Sequence, residues 1–557
     1  MRISPLLRGA LLLTVVAGCQ TTTADEDATL DPVKVGAAPG LCVAVRGNGH
    51  YIVTHFASMA RIVEHYGVPN GMAGGSSGSI TQLVYESILM NPVVRTCGNR
   101  ACTKEEGSAR VALTLKSLQG YGEALAQSDE VVAITDLVRL VGKLRSEVEL
   151  RNVDGLLASD DTATAAAKLK EVLAIPEFRD IVNPEITELL ASPARASFAA
   201  RDVQKSITTL GAFSVDDNRL FFRPGLLNWN ALAALFGRVA GFYAGYAPAD
   251  TAAFKAWLDD CAPPSVGKPW VDAARIGTKS GTCGQRFIDV TTRYRDAVRA
   301  TPPAKSRLDE RVDAATPLTK LISTSVLEGD AAAAYKTARA EYLAGKYPTG
   351  DVAFSPRFES VKVGYWGRSA DLERLKANPK GFDDLKTQKM TPLGGGPWKE
   401  VLTASPAEPG LSRFVELPDG RVSAGGWSDL APVLALRNVG CKTVVYVQRE
   451  GDESGFATKI AKRVGMDQAA WEKLYDLSKE SSYTRSVREA DGVWCTNWNA
   501  FGDAQQKEMA LDSFGAPLEV RAGLKAVRPV RVYANVTEKT GKVGCTPLVS
   551  GGAVFPQ

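Results

Sequence analysis

The chain has 557 residues, which is enough for two or more domains, and its 45% hydrophobic and 23% charged residues are ordinary values for a globular protein. Its 66 basic and 62 acidic residues nearly balance, at a net charge of +4. Because proteins that bind nucleic acid usually carry a marked basic excess, we expect no nucleic acid among the partners.

The N-terminus predicts an export signal. A short basic segment, Met1–Arg8, precedes an apolar run that is too short to span a membrane stably. Small residues then lead to Cys19, an arrangement that resembles a bacterial lipobox and implies cleavage before Cys19 and acylation of that cysteine. We expect 1–18 to be a lipoprotein signal peptide and 19–39 a tether held in membrane lipid. Gln20 resembles the residue that directs lipoproteins to the outer membrane, facing the periplasm or the surface, if the source is Gram-negative. An ordinary signal peptide with a chance cysteine is the alternative.

The cysteines predict disulfides rather than a metal centre. The chain has nine, and removing Cys19 leaves eight, an even number that permits pairing in an exported protein. Spacing suggests that Cys97 pairs with Cys102 and Cys261 with Cys283. The three histidines lie far in sequence from most cysteines, so the spacing supports no metal site, and we expect no cofactor.

Residues 40–96 predict the beginning of a parallel sheet. Leu41–Val45 is typical of a short buried strand, and a glycine-containing turn follows it. Apolar residues then recur at helical spacing from Ile52 to Tyr66, and Gly67 suits the helix C-cap. A second short strand and a second helix come next, and the alternation indicates an α/β protein with a parallel sheet.

The second strand leads into a G-x-S-x-G motif, with Ser76 at its centre and Gly74 and Gly78 on either side. This context predicts a nucleophile elbow, a strained strand-to-helix turn that presents a serine Oγ. The glycines let the strand and the helix approach closely, and the helix N-terminus favours developing negative charge. Because the motif is short, an ordinary Gly/Ser turn is the alternative.

The range 97–354 differs from the preceding part and predicts a large, mainly α-helical insertion. Amphipathic segments rich in Ala, Leu, Lys and Glu lie at 111–126, 131–149, 163–173 and 331–343. The most apolar stretch, 226–246, is interrupted by polar residues. We therefore interpret it as a core helix, or as a lid or the wall of an acyl-chain site, and not as a membrane span.

Strand character returns in 355–450, which we expect to be a second part of the core. The predicted elements are a strand at 358–365, a hairpin around Pro418-Asp419-Gly420, a helix at 430–436 and a buried strand at 442–447. The remaining residues, 451–557, are expected to form a C-terminal extension packed on this core.

The order of these parts resembles the patatin-like phospholipase family. The likeness is carried by Gly47-Asn48-Gly49, by the elbow Gly74–Gly78, by Ala404-Ser405-Pro406, and by Gly425-Gly426 with its downstream proline. It implies a three-layer core with a central, mainly parallel sheet. It also implies hydrolysis of lipid carboxylic esters, as by a phospholipase A or a lysophospholipase, with membrane lipid as the substrate.

The resemblance further implies the site residues. Ser76 would attack the ester, and the backbone N–H groups of Gly47, Asn48, Gly49 and Ser77 would form the oxyanion hole. Ala424 occupies the position of the family's catalytic aspartate, and alanine cannot accept a proton. Of the nearby aspartates, Asp429, at the start of the next predicted helix, is the first candidate for the base, and Asp419, at the hairpin turn, is the second. Asp429 would equally suit a helix N-cap.

Histidine usage favours a Ser–Asp dyad. An α/β-hydrolase triad needs a histidine after its serine, and none follows Ser76, whereas a dyad needs none because the carboxylate itself accepts and returns the proton. His50 precedes Ser76 and could serve as the base of a serine peptidase. His55 and His65 are expected to be structural. A different class of function, a catalytically impaired envelope lipoprotein that keeps the fold for binding, is favoured by Ala424 and by Ile52, which replaces the third glycine of the family's loop.

Overall fold

The structure is a computed structural model that describes part of the chain. The described residues are 39–47, 52–125, 151, 161–175, 182–192, 195–196, 213–214, 219–220, 227–265, 305–344, 361–378, 390–407, 412–429, 431–449, 490–496, 531–533, 535–539 and 542–546. The predicted signal peptide, the tether up to residue 38 and the predicted helix at 131–149 lie outside these ranges.

A ten-stranded mixed sheet forms the centre of the fold. Its strands are β1 (Leu41–Val45), β2 (Gly71–Gly75), β7 (Thr319–Leu327), β8 (Val361–Gly367), β9 (Met390–Gly394), β10 (Val415–Glu416), β11 (Val422–Ser423), β12 (Thr443–Arg449), β13 (Gly492–Thr496) and β14 (Arg531–Tyr533). The order is β10-β11-β7-β2-β1-β12-β13-β14, with β8 also on β7 and β9 on β8. The five adjacent strands β7-β2-β1-β12-β13 are parallel.

Three two-stranded sheets lie outside the central sheet. They pair β3 (Thr96–Cys97) with β4 (Arg100–Ala101), β5 (Phe213–Ser214) with β6 (Arg219–Leu220), and β15 (Asn535–Lys539) with β16 (Lys542–Thr546). The α-helices are α1 (Ile52–Tyr66), α2 (Ser77–Met90), α3 (Pro92–Arg95), α4 (Lys104–Leu125), α5 (Thr162–Leu173), α6 (Pro184–Ala191), α7 (Trp229–Tyr243), α8 (Pro248–Cys261), α9 (Gly329–Leu343), α10 (Ser369–Ala377), α11 (Trp398–Ala404) and α12 (Val433–Asn438). Short 3-10 helices span Arg307–Asp309 and Gly426–Ser428.

Helices cover both faces of the sheet, so the core has three layers. Successive side chains of a strand point to opposite faces, and those of β1 divide accordingly. Val43 and Val45 pack into the larger core with α1, α2, α4, α7, α8 and α11. Cys42 and Ala44 pack into the smaller core with α10 and α12. The predicted α/β class with a mainly parallel centre is confirmed.

The predicted beginning of the sheet is also confirmed. Strands β1 and β2 are parallel, with Ala44 opposite Ala73, and α1 connects them. Helix α1 ends at Tyr66. Gly67 follows it with a φ of 94°, which is favourable for glycine, and its N–H donates to the carbonyl of Val63 at 3.1 Å.

The predicted limits of the helical insertion are wrong at one end. Strand β7 lies inside the range 97–354, yet it is a fully buried strand at the centre of the sheet, paired with β2. The sheet therefore resumes by Thr319 and not at 355. The polar residues Lys320, Ser323 and Ser325 interrupt the apolar run by which a buried strand is recognised in sequence. Their side chains can be buried because they take part in hydrogen bonds or an ion pair.

Other predictions agree with the structure to within a few residues. The amphipathic segments at 111–126, 163–173 and 331–343 correspond to α4, α5 and α9, and the apolar stretch at 226–246 contains α7. The predicted hairpin is β10–β11, and β12 is the predicted strand at 442–447. The predicted extension contributes β13 and β14 to the central sheet. Within the described ranges, no helix is both long and apolar enough to cross a bilayer.

Two disulfides join described cysteines. Cys97 pairs with Cys102, as the spacing predicts. Cys42 pairs with Cys441, a link across 399 residues that ties β1 to the turn before β12 and that the spacing does not predict. Cys261 is also disulfide-bonded, while Cys283 lies outside the described residues.

Candidate functional site

Ser76 occupies a strained turn between β2 and α2. Its backbone has φ 52° and ψ −126°, and among the described residues it is the one non-glycine residue with a positive φ. An L-residue adopts such a conformation at a cost of about 1–3 kcal/mol, which must be met by the surrounding structure. The predicted strand–serine–helix geometry is therefore present, with Ser77 as the first residue of α2.

The two glycines of the motif are required by close backbone contacts. A Cβ on Gly74 would lie 2.6 Å from the carbonyl oxygen of Val45 and 3.3 Å from the Cα of Gly78. A Cβ on Gly78 would lie 3.1 Å from the same carbonyl oxygen. Strands β1 and β2 and helix α2 thus meet where any side chain would force them apart.

Two further serines hold the elbow in place. The hydroxyl of Ser405, at the end of α11, accepts a hydrogen bond from the Ser76 N–H at 2.9 Å and donates to the Ser323 carbonyl oxygen at 2.8 Å. Ser323 lies on β7 directly opposite Gly75 in the parallel register. Ser405 therefore links the strained residue to the neighbouring strand and satisfies a buried N–H group.

The segment that follows β11 meets the elbow on the same edge of β7. Strand β2 pairs with this edge as far as Ser323, and β11 pairs with it at Val326 and Leu327, running in the opposite direction. The elbow and the segment after β11 come together at Gly426, where a Cβ would lie 2.5 Å from the Ser76 nitrogen. Asp429, three residues further on, is thereby brought to the same end of the sheet, and its carbonyl oxygen accepts from the Ser323 hydroxyl at 3.4 Å.

The carboxylate of Asp429 is held by two donors. The hydroxyl of Tyr365 donates to Oδ2, and the N–H of Ala431 donates to Oδ1 at 3.2 Å. Tyr365 is fully buried on β8, directly opposite Ser323 in the antiparallel register, so the two side chains share one face of the sheet. Helix α12 begins at Val433 and is capped at Pro432, so Asp429 is not the N-cap of that helix.

Burial raises the pKa of Asp429 to about 6, although the hydrogen bonds from Tyr365 and Ala431 lower it. A carboxylate with a pKa near the working pH combines a useful ionised fraction with proton affinity, which is what a general base requires.

The other candidate positions are arranged differently. Ala424, which has no carboxylate, is fully buried, and its N–H donates to the Ser325 carbonyl at 2.8 Å. Asp419 lies at the turn of the β10–β11 hairpin and is ion-paired with Arg421. Burial raises the pKa of Asp419, but the bonds from Arg421 outweigh it and hold the pKa below its ordinary value. The structure brings the backbone of Asp429 to Ser323, which pairs with the last residue of β2 before the elbow, and it leaves Asp419 at the hairpin turn.

Two predicted oxyanion donors lie in the described part of the chain. Residues of β1 pair with β2 at a constant offset, and extending this register beyond the strands sets Gly47 level with Ser76. The Ser77 N–H belongs to the same peptide group as the Ser76 carbonyl, which accepts from the Ser79 N–H at 2.9 Å and from the Ser79 hydroxyl at 2.6 Å. Ser79 therefore fixes the plane that carries the Ser77 N–H. Asn48, Gly49 and His50 lie outside the described residues.

The other histidines lie on α1. His55 is fully buried, with its Nδ1 2.8 Å from the Thr81 hydroxyl oxygen. Burial lowers the pKa of His55 to about 3, although a hydrogen bond to the backbone of Arg46 raises it, so the ring is neutral at neutral pH. This agrees with the expectation that His55 is structural. The side chain of His65 is outside the described part of the structure.

The residues that sequence reasoning did not assign to the site are Ser323, Tyr365 and Ser405. Ser405 lies within the Ala404-Ser405-Pro406 segment, but the sequence attaches no role to it. Ser323 and Tyr365 become neighbours only through the pairing of β7 with β8. The run Ser323-Thr324-Ser325, flanked by Leu321-Ile322 and Val326-Leu327, is the one sequence signal that could have indicated a polar junction there.

One group of potential metal ligands occurs among the described residues: Cys97, Cys102 and Glu106. The two thiols form a disulfide, and Glu106 is ion-paired with Arg100 at 2.6 Å. The group is therefore a disulfide-closed loop with a surface ion pair and does not present thiolate ligands.

Comparison with protein-family models, with curated proteins and with solved structures finds no match.

Proposed function

We propose that this chain is a serine acyl hydrolase of lipid carboxylic esters, of the phospholipase A or lysophospholipase type. Ser76 is the nucleophile and Asp429 the general base. The observation that carries the proposal is the positive φ of Ser76 at a strand-to-helix turn that abuts the segment leading to Asp429. Strained residues of this kind cluster at functional sites, because the surrounding structure must hold them in place.

The proposed reaction has two stages. Ser76 Oγ attacks the ester carbonyl carbon while the Asp429 carboxylate takes the hydroxyl proton, and the proton returns to the leaving alcohol oxygen as the carbon–oxygen bond breaks. Water then attacks the acyl-enzyme while Asp429 accepts its proton, and Asp429 returns that proton to Ser76 Oγ as the bond between the acyl carbon and Oγ breaks and the fatty acid leaves. The N–H groups of Gly47 and Ser77 stabilise the oxyanion in both stages, at about 3 kcal/mol for each donor.

The choice of lipid esters rests on the family resemblance and on the predicted lipid anchor. The resemblance to patatin-like phospholipases implies a patatin-like three-layer core with a helical insertion and acyl-ester chemistry. Acylation of Cys19 would hold the chain at a membrane of the cell envelope, where lipid is both anchor and substrate. A single acyl chain gives only marginal binding, so stable anchoring at Cys19 needs more than one acyl chain.

A non-catalytic envelope lipoprotein is the second candidate. It is favoured by Ala424, which leaves no carboxylate where the family resemblance requires one. In that case Asp429, held by Tyr365 and Ala431, has a structural role.

Release of fatty acid from added lipid by the purified, delipidated protein tests the proposal. The wild type should hydrolyse a short-chain p-nitrophenyl ester and a phospholipid in mixed micelles, and Ser76→Ala should lose at least about 1,000-fold in kcat. Ser412→Ala removes a buried hydroxyl whose hydrogen bond joins it to the carbonyl of Arg413, and it should retain wild-type turnover. Ser76→Ala with wild-type turnover excludes Ser76 as the nucleophile. A wild type that hydrolyses neither substrate supports the non-catalytic alternative.

A further inference from the structure

We infer that His55 is a positioning residue for catalysis, which orients the Arg46–Gly47 peptide group so that the N–H of Gly47 faces the developing oxyanion. The inference rests on the proposed function, because it assigns a role within the same oxyanion hole. It gives a buried histidine a part in the reaction without making it an acid or a base.

The ring of His55 connects the two sides of the proposed oxyanion hole. His55 lies near the beginning of α1, and its Nδ1 is 2.8 Å from the Thr81 hydroxyl oxygen. The same ring hydrogen-bonds the backbone of Arg46, an interaction that favours the protonated ring, so a ring N–H is the donor and the Arg46 carbonyl oxygen is the acceptor. A neutral ring has one N–H, so with Nε2 donating to Arg46, Nδ1 accepts from the hydroxyl of Thr81 on α2, whose oxygen lies 3.0 Å from the Ser77 carbonyl oxygen.

Peptide geometry converts this contact into control of Gly47. The carbonyl of Arg46 and the N–H of Gly47 belong to one planar peptide group, and no cis peptide bond occurs in the described chain. In a trans peptide the C=O and the N–H point in opposite directions. A hydrogen bond that holds the carbonyl toward His55 therefore turns the Gly47 N–H away from α1.

The second donor is oriented in the same manner by a different residue. The Ser76 carbonyl is held by Ser79, and that hydrogen bond directs the Ser77 N–H. Each proposed donor thus has a partner on the opposite side of its own peptide group, Ser79 for Ser77 and His55 for Gly47. Donors that are already oriented need no rearrangement when charge develops, which is the source of their catalytic effect.

The burial of His55 suits this role. The side chain is fully buried and the ring is neutral at neutral pH, so it acts as a fixed dipole whose hydrogen bonds do not exchange with water.

Three variants test the inference in kinetics on the p-nitrophenyl ester. His55→Ala frees the Arg46 carbonyl and should lower kcat on the order of 100-fold, the effect of losing one oxyanion donor, with little change in KM. His55→Gln keeps an N–H donor and an acceptor and should restore most of the loss. Met59→Ala, one helical turn further along α1 and equally buried in the apolar core, creates a cavity and should keep wild-type kcat below its melting temperature.

Loss of kcat in Met59→Ala equal to that in His55→Ala would mean that general destabilisation explains the effect, and the inference would be wrong. It would also be wrong if His55→Ala kept wild-type kcat. If the wild type itself is inactive toward esters and a fluorophosphonate, the proposed function fails first, and the role of His55 fails with it.

A structure of the phosphonylated wild type provides a second test that needs no variant to fold. The phosphonyl oxygen stands in for the oxyanion, and it should accept hydrogen bonds from the Gly47 and Ser77 N–H groups while the Arg46 carbonyl remains bonded to His55. A Gly47 N–H that points away from the phosphonyl oxygen overturns the inference, even if Ser76 is labelled.

Discussion

The hydroxyl of Tyr365 donates a hydrogen bond to the Oδ2 atom of Asp429, across 64 residues of sequence. Tyr365 lies on β8 opposite Ser323, whose hydroxyl donates to the carbonyl oxygen of the same aspartate. The strand pairing of β7 with β8 therefore holds both the side chain and the backbone of Asp429 beside the elbow.

Tyr365→Phe should raise the pKa of Asp429 above about 6, because a donor to a carboxylate favours its charged form. The reaction needs the ionised base, so kcat/KM rises with pH through that pKa, and the acidic limb should move to higher pH in the variant. The measurement is kcat/KM against pH from 4.5 to 9. Tyr335→Phe is the control, since it removes another buried hydroxyl, one bonded to the Phe414 carbonyl at 3.0 Å. Coincident profiles for wild type and Tyr365→Phe would contradict the prediction.

The two candidate bases should separate cleanly in turnover. Asp429→Asn removes the base and should lower kcat by about 100- to 10,000-fold. Asp419→Asn removes a carboxylate that forms an ion pair with Arg421 at the hairpin turn, and it should keep wild-type kcat. Steady-state kinetics on a chromogenic ester distinguishes them. Wild-type turnover in both variants would show that neither aspartate is the base.

The strain at Ser76 predicts a stability difference between two inactive variants. Ser76→Gly relieves the positive φ, whereas Ser76→Ala retains it. Relief of the strain should raise the free energy of unfolding by about 1–3 kcal/mol, and the added freedom of glycine in the unfolded chain should lower it by roughly 0.5–1 kcal/mol. Ser76→Gly should therefore be more stable than Ser76→Ala by about 1 kcal/mol. Urea denaturation of the two variants measures this difference. Equal stability would argue that the turn is not strained in solution.

A buried ion cluster joins α2 to β7 and should dominate local stability. Both carboxylate oxygens of Glu86 are engaged, by Lys320 and Thr316 at one and by Arg307 and the Trp398 indole N–H at the other. Burial raises the pKa of Glu86, but Lys320 and Arg307 outweigh it and hold the pKa below its usual value.

Glu86→Gln leaves the buried Lys320 without its carboxylate and Arg307 with Glu310 alone, and it should lower the free energy of unfolding by about 3–5 kcal/mol. Glu106→Gln breaks the pair with the largely exposed Arg100 and should cost less than about 1 kcal/mol. Urea unfolding of both variants makes the comparison. A loss in Glu86→Gln as small as that in Glu106→Gln would show that the cluster contributes little.

The first half of the site could be predicted from local sequence, and the second half only in part. Ser76 and its glycines are recognisable because the chemistry of a strand-to-helix turn depends on five consecutive residues. Asp429 could be named only as one of two nearby aspartates, because its choice depends on β7. That strand was concealed by its Lys, Ser and Thr residues, whose burial is made possible by partners such as Glu86, remote in sequence.

The partners of the site illustrate the same limit. Tyr365, Ser323 and Ser405 are unremarkable residues in sequence, and each acquires its role from a register or a helix end that brings it to Ser76 or Asp429. The hairpin β10–β11 could be predicted from its turn residues. Its position could not, because β11 pairs with the same edge of β7 as β2 does, and that pairing places Gly426 against the elbow.

Reaction with a fluorophosphonate probe tests the central claim most directly, because the probe labels only a serine whose hydroxyl is activated. Peptide mapping by mass spectrometry should locate the label on Ser76 in the wild type and in His50→Ala, with labelling strongly slowed in Asp429→Asn. Labelling that is abolished in His50→Ala but unchanged in Asp429→Asn would instead indicate a peptidase-type base. Absence of label on Ser76 in the folded wild type would contradict the account.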